Sequence, residues 1–493
     1  MIAKPIETLS LTLALIFTSG CTVQSSAAER DNQQFRTWTD STGRYQTEAV
    51  LIDCTNGNVH LKKRDGNIAS VRIGVLSRED QRYLRKELAR RAASGRKRKQ
   101  GRHGVSGQVV DWPGWRGSNR DGKSPDRRLL KEWPEGGPEL LWKVDGIGKG
   151  FSSVAVTGGM VYITGDLDDR LVLFAFDLDG KPQWETNIDA AWTKSHPGAR
   201  STPVIDGGNL YLVSGNGVVG CYDARTGRKK WTRNMRDFRG GVPGWGYAES
   251  VLIYNNLAVV TPGRENCIVA LNKTSGKTVW TSHGFKAAAQ YSSCYAITYK
   301  GVSMIVNGTR EGIVCVDPNN GRMLWSNPFS AHNTANCPTP IFSDGYVFWA
   351  NGYGKGGICL KLTVNRGKVS AEEAWRTKEM VCHHGGYIVH EGYIYGNHGG
   401  SWVCLDLKNG QKQWEERGVR KGSLCFADGM LYLFSERGGQ AGLATCSPKG
   451  LEMKGTFNVE GEGPSWAYPV VIGGRLYLRY DTNLYCFNVR AEP

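Results

Sequence analysis

A motif of the form Gly-x-aliphatic-Tyr recurs along the chain. It appears at Gly159–Tyr162, Gly208–Tyr211, Gly392–Tyr395, Gly429–Tyr432 and Gly474–Tyr477, with degenerate copies beginning at Asn256, Gly301 and Gly345. Successive copies are 49, 48, 45, 44, 47, 37 and 45 residues apart. Most are followed by a turn and then a tryptophan: Asp179-Gly180 before Trp184, Thr226-Gly227 before Trp231, Ser275-Gly276 before Trp280, Asn320-Gly321 before Trp325, and Asn409-Gly410 before Trp414. Trp375 ends a longer fifth copy, and Phe457 replaces the tryptophan in the seventh. A unit of this length holds four short strands and cannot bury its apolar faces alone, so copies must stack. The pattern predicts an all-β chain with an eight-bladed β-propeller over residues 112–493. Glycine, 64 of 493 residues, suits the many turns this requires, and only 18 prolines accompany it.

The eighth copy stops at Asn488-Val489 without its last strand, while a spare strand, Glu139–Val144 with Trp142 in it, precedes the first copy. Joining the N- and C-terminal strands would close the ring and remove its open edges. The repeat also places Cys221, Cys315, Cys359, Cys404 and Cys486 in third strands, with Ala175, Ala270 and Ala444 expected at the same position elsewhere. Cysteine alternating with alanine reads as a small buried hydrophobe, not as a disulfide or metal ligand.

Residues 1–20 read as a signal peptide, with Lys4 before an apolar stretch from Leu9 to Phe17. Thr18-Ser19-Gly20-Cys21 resembles a lipobox, which would make Cys21 the lipidated terminus; cleavage after Ala28 is the alternative. Either implies export to the cell envelope, on its periplasmic face. No apolar run reaches the 18 residues or so of a membrane span.

Residues 35–93 form a separate unit. Strands at Thr47–Asp53, Val59–Lys63 and Ile68–Ile73 are divided by Asn56-Gly57 and Asp65-Gly66, both strong hairpin signals, and Ser77 to Asp80 caps a following helix. The Trp38-Thr39-Asp40 start, the meander and the Leu76-Ser77…Asp80 ending resemble the Sla homology domain. That resemblance implies a small SH3-like β-barrel with a C-terminal helix, serving recognition. A linker, 94–111, carries Arg96-Lys97-Arg98-Lys99. Of the formal net charge of +16, a net +8 falls between Arg78 and Arg102. In an exported chain this block reads as either a solvated linker or a contact with anionic lipid or envelope polymer, with no nucleic acid expected.

The tryptophan repeat, Asp111-Trp112-Pro113-Gly114-Trp115-Arg116-Gly117 and Gly150-Phe151-Ser152-Ser153 together resemble the exported PQQ-like propellers. That group includes quinoprotein alcohol dehydrogenases and the propeller lipoprotein of the outer-membrane assembly machine. The resemblance implies the fold, and for function either a binding scaffold or a dehydrogenase using PQQ and calcium. The sequence has no adjacent cysteine pair of the kind those enzymes carry beside the quinone, and Glu379 stands where a haem C-x-x-C-H needs its first cysteine. The leading expectation is therefore a non-catalytic scaffold for an envelope protein, polymer or small ligand. A PQQ-dependent alcohol or sugar dehydrogenase is the alternative.

In a propeller, the loops leading into each innermost strand share one face with those leaving each second strand. By register the ligand-binding candidates at this mouth are Arg200, Trp245, Tyr247, Glu249, Tyr291, His332, Asn336, His383, His384, His398 and Trp466. Aromatic, cationic and amide groups converging on a funnel suit an anionic or polyhydroxylated ligand, or a peptide. His390 is expected on the opposite face. The histidines could ligate zinc or copper, but no carboxylate or C-x-x-C accompanies them in sequence, so they read as hydrogen-bonding rim residues.

Overall fold

The computed structural model describes residues 35–55, 58–65, 67–84, 87 and 111–492. The signal segment, Cys21 and the linker 94–110 lie outside the described residues. The chain divides into two compact units, residues 1–106 and 107–493. Among the described residues no helix is long and apolar enough to cross a membrane.

The first unit is an antiparallel meander of Arg36–Thr39, Gln46–Thr55, Asn58–Lys63 and Ile68–Arg72. Thr55 pairs with Asn58 across the first hairpin, and Asn56-Gly57 itself lies outside the described residues. Alternate residues Ala49, Leu51, Val59 and Leu61 are buried together with Trp38, Leu76 and Leu84. A helix begins at residue 78, where Ser77 Oγ accepts from the Asp80 amide at 3.1 Å. The Asp80 carboxylate, only 2% exposed, accepts from Ser77 Oγ, the Thr39 amide and Arg36. One acid thus caps the helix and ties it to the first strand. That strand, Arg36–Thr39, is the one the sequence pattern did not resolve.

The second unit is eight consecutive sheets, each built on four strands in the order of the chain. Blade 1 runs from Ala155 to Ala190, and blade 8 comprises Val470–Ile472, Arg475–Tyr480, Asn483–Asn488 and, as its outermost strand, Leu140–Val144 from the other end of the unit. Leu484 pairs with Val144 and Cys486 with Trp142, so the two ends close the ring as expected.

The recurrent residues do one job in each blade. Third-strand Cys221, Cys315, Cys359 and Cys404 pair with fourth-strand Trp231, Trp325, Trp375 and Trp414, and Ala175 and Ala270 pair with Trp184 and Trp280. The small side chain leaves room for the indole. Blade 7 departs from expectation: Leu443 pairs with Tyr432, whereas Ala444 is shifted one place and faces Met453. An irregularity between Gly442 and Ala444 moves the register, and Phe457 packs opposite Ala441 instead.

Most of these tryptophans donate to a carbonyl of the next blade, Trp184 and Trp325 being the exceptions. Trp231 Nε1 donates to Lys273 O at 3.0 Å, Trp280 to Pro318 O at 2.9 Å and Trp375 to Leu407 O at 3.0 Å. A Cβ on Gly276, Gly321 or Gly410 would lie within 2.7 Å of the respective indole, so the repeated turn glycine is where the ring lands. The contact crosses the closure as well. Trp142 of blade 8 sits against Gly180 of blade 1, and Phe457 of blade 7 against Gly137, at the start of the closing strand.

The segment before the first blade also fills the channel. Asp111–Trp112 adds to the innermost strand of blade 1, and Lys123–Ser124 pairs parallel with that of blade 7. Between them, Arg120 donates to Ser250 O and Val251 O of the third blade, and Arg116 to Tyr387 O of the sixth. Cations spent on inward-facing carbonyls turn this segment into a plug.

Candidate functional site

Above the plug the loops enclose a cavity of about 330 Å³. Trp115, from the plug, is one wall and meets Tyr468 edge to face at 5.8 Å. Loops leading into the innermost strands supply Phe151, Arg200, Trp245, Tyr291, Cys337 and Trp466, while Tyr353, Glu436 and Arg437 come from second-strand exits.

Trp466 is the hub of an aromatic collar. Phe151 packs on it at 4.5 Å, His384 stacks at 4.2 Å and His196 meets it edge-on at 5.1 Å. Across the funnel, Trp245 and Tyr291 pack at 5.6 Å, and the Trp245 amide donates to Tyr291 OH. Arg200 is held by carbonyls, its Nε on Trp245 O at 2.6 Å and its Nη groups on Gly198, Ser195 and His196. Burial lowers its pKa to about 10, so it remains a cation at neutral pH.

The other charges cluster between blades 6 and 7. Lys421 Nζ lies 3.2 Å from Glu436 Oε1 and 3.3 Å from His383 Nδ1. Glu436 Oε2 is 3.7 Å from His384 Nδ1. Burial, then the neighbouring His384 and Lys421 charges, push His383 down to about 3. Burial also lowers His384, so both imidazoles are neutral at physiological pH. Burial pushes the Cys337 thiol up to about 12.

The structure therefore brings together Arg200, Trp245, Tyr291, His383, His384 and Trp466 of the sequence candidates. Five others fall elsewhere. Tyr247 is buried with its OH on Pro262 O, and Glu249 is buried against Thr261, whose amide and hydroxyl donate at 2.6 and 2.9 Å. Asn336 is buried, donating to Thr309 O and accepting from Ser330 and Asn333. His332 is exposed and lies outside the cavity, and His398 lies outside it with Nδ1 accepting from the Val381 amide. The repeat register gives a residue's height in the blade, but local hydrogen bonds decide which way its side chain turns. His390 borders a separate cavity with Asp111, Arg127 and Phe426. Sequence reasoning passed over Trp115, Cys337 and Tyr468 as wall residues; the Trp112-Pro113-Gly114-Trp115 string was the available signal for the first.

Calcium takes six to eight hard oxygen ligands. The one carboxylate in this wall is Glu436, already engaged by Lys421 and His384. Imidazole, ammonium, guanidinium and thiol groups make up its other ionisable donors apart from tyrosine. This donor set does not fit a calcium-bound quinone.

Residues 175–416 match the family described as outer membrane protein assembly factor BamB, and residues 26–92 match SLA1 homology domain 1. Tetrathionate hydrolase of Acidithiobacillus ferrooxidans is 27% identical over 252 residues, covering 43% of this chain and 48% of that protein. Quinoprotein alcohol dehydrogenase PedH of Pseudomonas putida is 31% identical over 163 residues, 30% of this chain and 25% of that protein. BamB of Burkholderia pseudomallei is 26% identical over 204 residues, 40% of this chain and 49% of that one. The chain thus spans about half, or less, of the curated relatives it matches. Among solved structures, BamB from Moraxella catarrhalis superposes with a TM-score of 0.53 at 15% identity, over 72% of this chain and 98% of that one. Quinohemoprotein alcohol dehydrogenase from Comamonas testosteroni gives 0.56 at 13% identity, over 82% and 84%. These likenesses concern the fold. The chain folds as a PQQ-like β-propeller of eight blades, seven carrying the recurrent tryptophan and one carrying Phe457, with a segment matching SHD1 ahead of it.

Proposed function

We propose that this chain is an exported, non-catalytic binding scaffold whose funnel receives a carboxylate-bearing segment of an envelope partner protein. One observation carries the reading: Arg200, Lys421 and Arg437 converge with aromatic rings on a cavity whose single carboxylate is Glu436. A volume of about 330 Å³ accommodates one or two side chains, and the plug beneath favours capture over passage. Similarity to outer membrane assembly factors supports a protein partner in the envelope.

Calorimetric titration with a short glutamate-rich peptide, against its glutamine counterpart, tests this. The acidic peptide should bind preferentially and lose affinity with added salt. Trp466→Ala should weaken binding by roughly thirtyfold, as for an aromatic anchor worth about 2 kcal/mol. Equal binding of the two peptides would overturn the anion reading. Robust dye reduction on adding PQQ, calcium and an alcohol would replace the scaffold with the dehydrogenase.

A further inference from the structure

The wall between blades 5 and 6 carries donors that recognition of an anion does not use. Cys337 lies in the loop leading to Ile341–Ser343, and His383 and His384 in that leading to Tyr387–His390. The Cys337 sulfur and one ring nitrogen from each histidine lie within 4.8 Å of one another. Loops 46 residues apart in sequence thus bring a thiol and two imidazoles to one point, which no local motif announces.

Two features mark these groups as more than rim residues. His383 and His384 sit in a bend ahead of Tyr387–His390, and their imidazoles lie together with centroids 3.6 Å apart. They are braced there, His383 by Tyr353 at 4.8 Å and His384 by Trp466 at 4.2 Å, while Tyr468 OH donates to the His384 carbonyl at 2.6 Å. In addition, His383 Nε2 is shut off from solvent and has no hydrogen-bond partner. Buried imidazole nitrogens are ordinarily satisfied. Cys337 forms no disulfide.

We propose that Cys337, His383 and His384 bind one borderline or soft transition-metal ion, Zn²⁺ or Cu⁺, in the funnel wall, with a further coordination position facing the cavity. Thiolate and imidazole together select these ions over calcium or magnesium, which require oxygen donors. Three protein ligands with an open position is the arrangement of a site that binds an exogenous donor. Glu436, beside His384, supplies the outer carboxylate that commonly orients a metal-bound imidazole. Lys421 opposes a cation from 3.3 Å off His383 Nδ1, and its pairing with Glu436 limits that opposition.

The test is metal titration of the reduced full-length chain, with Zn²⁺ and Cu⁺ as separate arms and Co²⁺ as the optical probe. One equivalent should bind, and Co²⁺ should show a thiolate charge-transfer band. Cys337→Ser should abolish the band and weaken Zn²⁺ or Cu⁺ binding by more than the roughly 10–100-fold that loss of an outer partner costs. His384→Gln serves in place of the serine variant if the latter no longer melts cooperatively. Lys421→Met should tighten metal binding while weakening the glutamate-rich peptide. Absence of stoichiometric binding by either metal, or wild-type binding in a folded Cys337→Ser protein, would overturn the site. Peptide binding by metal-free protein in that event would leave the scaffold reading standing, so the two proposals fail separately.

Discussion

Glu249 illustrates how a residue at the height of the mouth can be withdrawn from it. Its carboxylate is sealed against Thr261, with Asn307 Nδ2 donating in turn to Thr261 Oγ1 at 2.8 Å. Burial dominates over these donors and over the nearby Arg120 charge, raising its pKa from 4.5 to about 7. Between those values the folded protein holds a proton that the unfolded chain has released, so this residue's contribution to stability falls as pH rises from about 4.5 to 7. The loss above pH 7 is on the order of 3 kcal/mol. Glu249→Gln should remove that dependence: its Tm should change less than wild type between pH 5 and pH 8. Parallel thermal melts at the two pH values check this, and identical slopes for both proteins would mean that Glu249 ionises normally.

At the scale of the blade, the unit of cohesion is one indole resting on the next blade's turn glycine. Gly321, at φ +77°, would bring a Cβ to 2.6 Å from the Trp280 ring, whereas Gly158, at φ +60°, has nothing within 4 Å. Both substitutions to alanine pay the left-handed backbone cost, about 1 kcal/mol or more. Only Gly321→Ala also displaces the indole and endangers its bond to Pro318 O. Its Tm should therefore fall by clearly more than that of Gly158→Ala in calorimetry. Equal losses would show that the turn conformation, and not the docking, explains the glycine.

Over the whole propeller, residues from both of its ends converge. Leu140–Val144 completes blade 8, the Leu130 amide donates to Val489 O, and the Gly474 amide donates to the buried Asp126. A core cluster joins Trp112, Leu129 and Trp133 to residues of blades 1, 7 and 8. Deleting residues 112–144 should remove plug and closing strand together, leaving Asn483–Asn488 as an unpaired edge that recruits other chains. Light scattering should show aggregates and calorimetry a lowered Tm; a monomer with an unchanged melt would refute closure by this segment.

The sequence by itself determined the eight blades, their register and the closing strand, because each rests on a side chain repeated at one position: the third-strand cysteine or alanine, the turn glycine, the indole. Burial of a repeated apolar face admits one solution, and periodicity writes that solution into the chain. Blade 7 was misread where Leu443 and Ala444 exchange roles, since a single bulge shifts register without altering composition. The site was legible only in part. Arg200, Trp245 and Trp466 could be placed at the mouth by counting, because height in a blade follows register. The inward turn of His383 and His384, the withdrawal of Glu249 and Asn336, and the meeting of Cys337 with the histidines were decided by tertiary structure alone. They depend on hydrogen bonds and stacking between loops of different blades, which no spacing along the chain encodes.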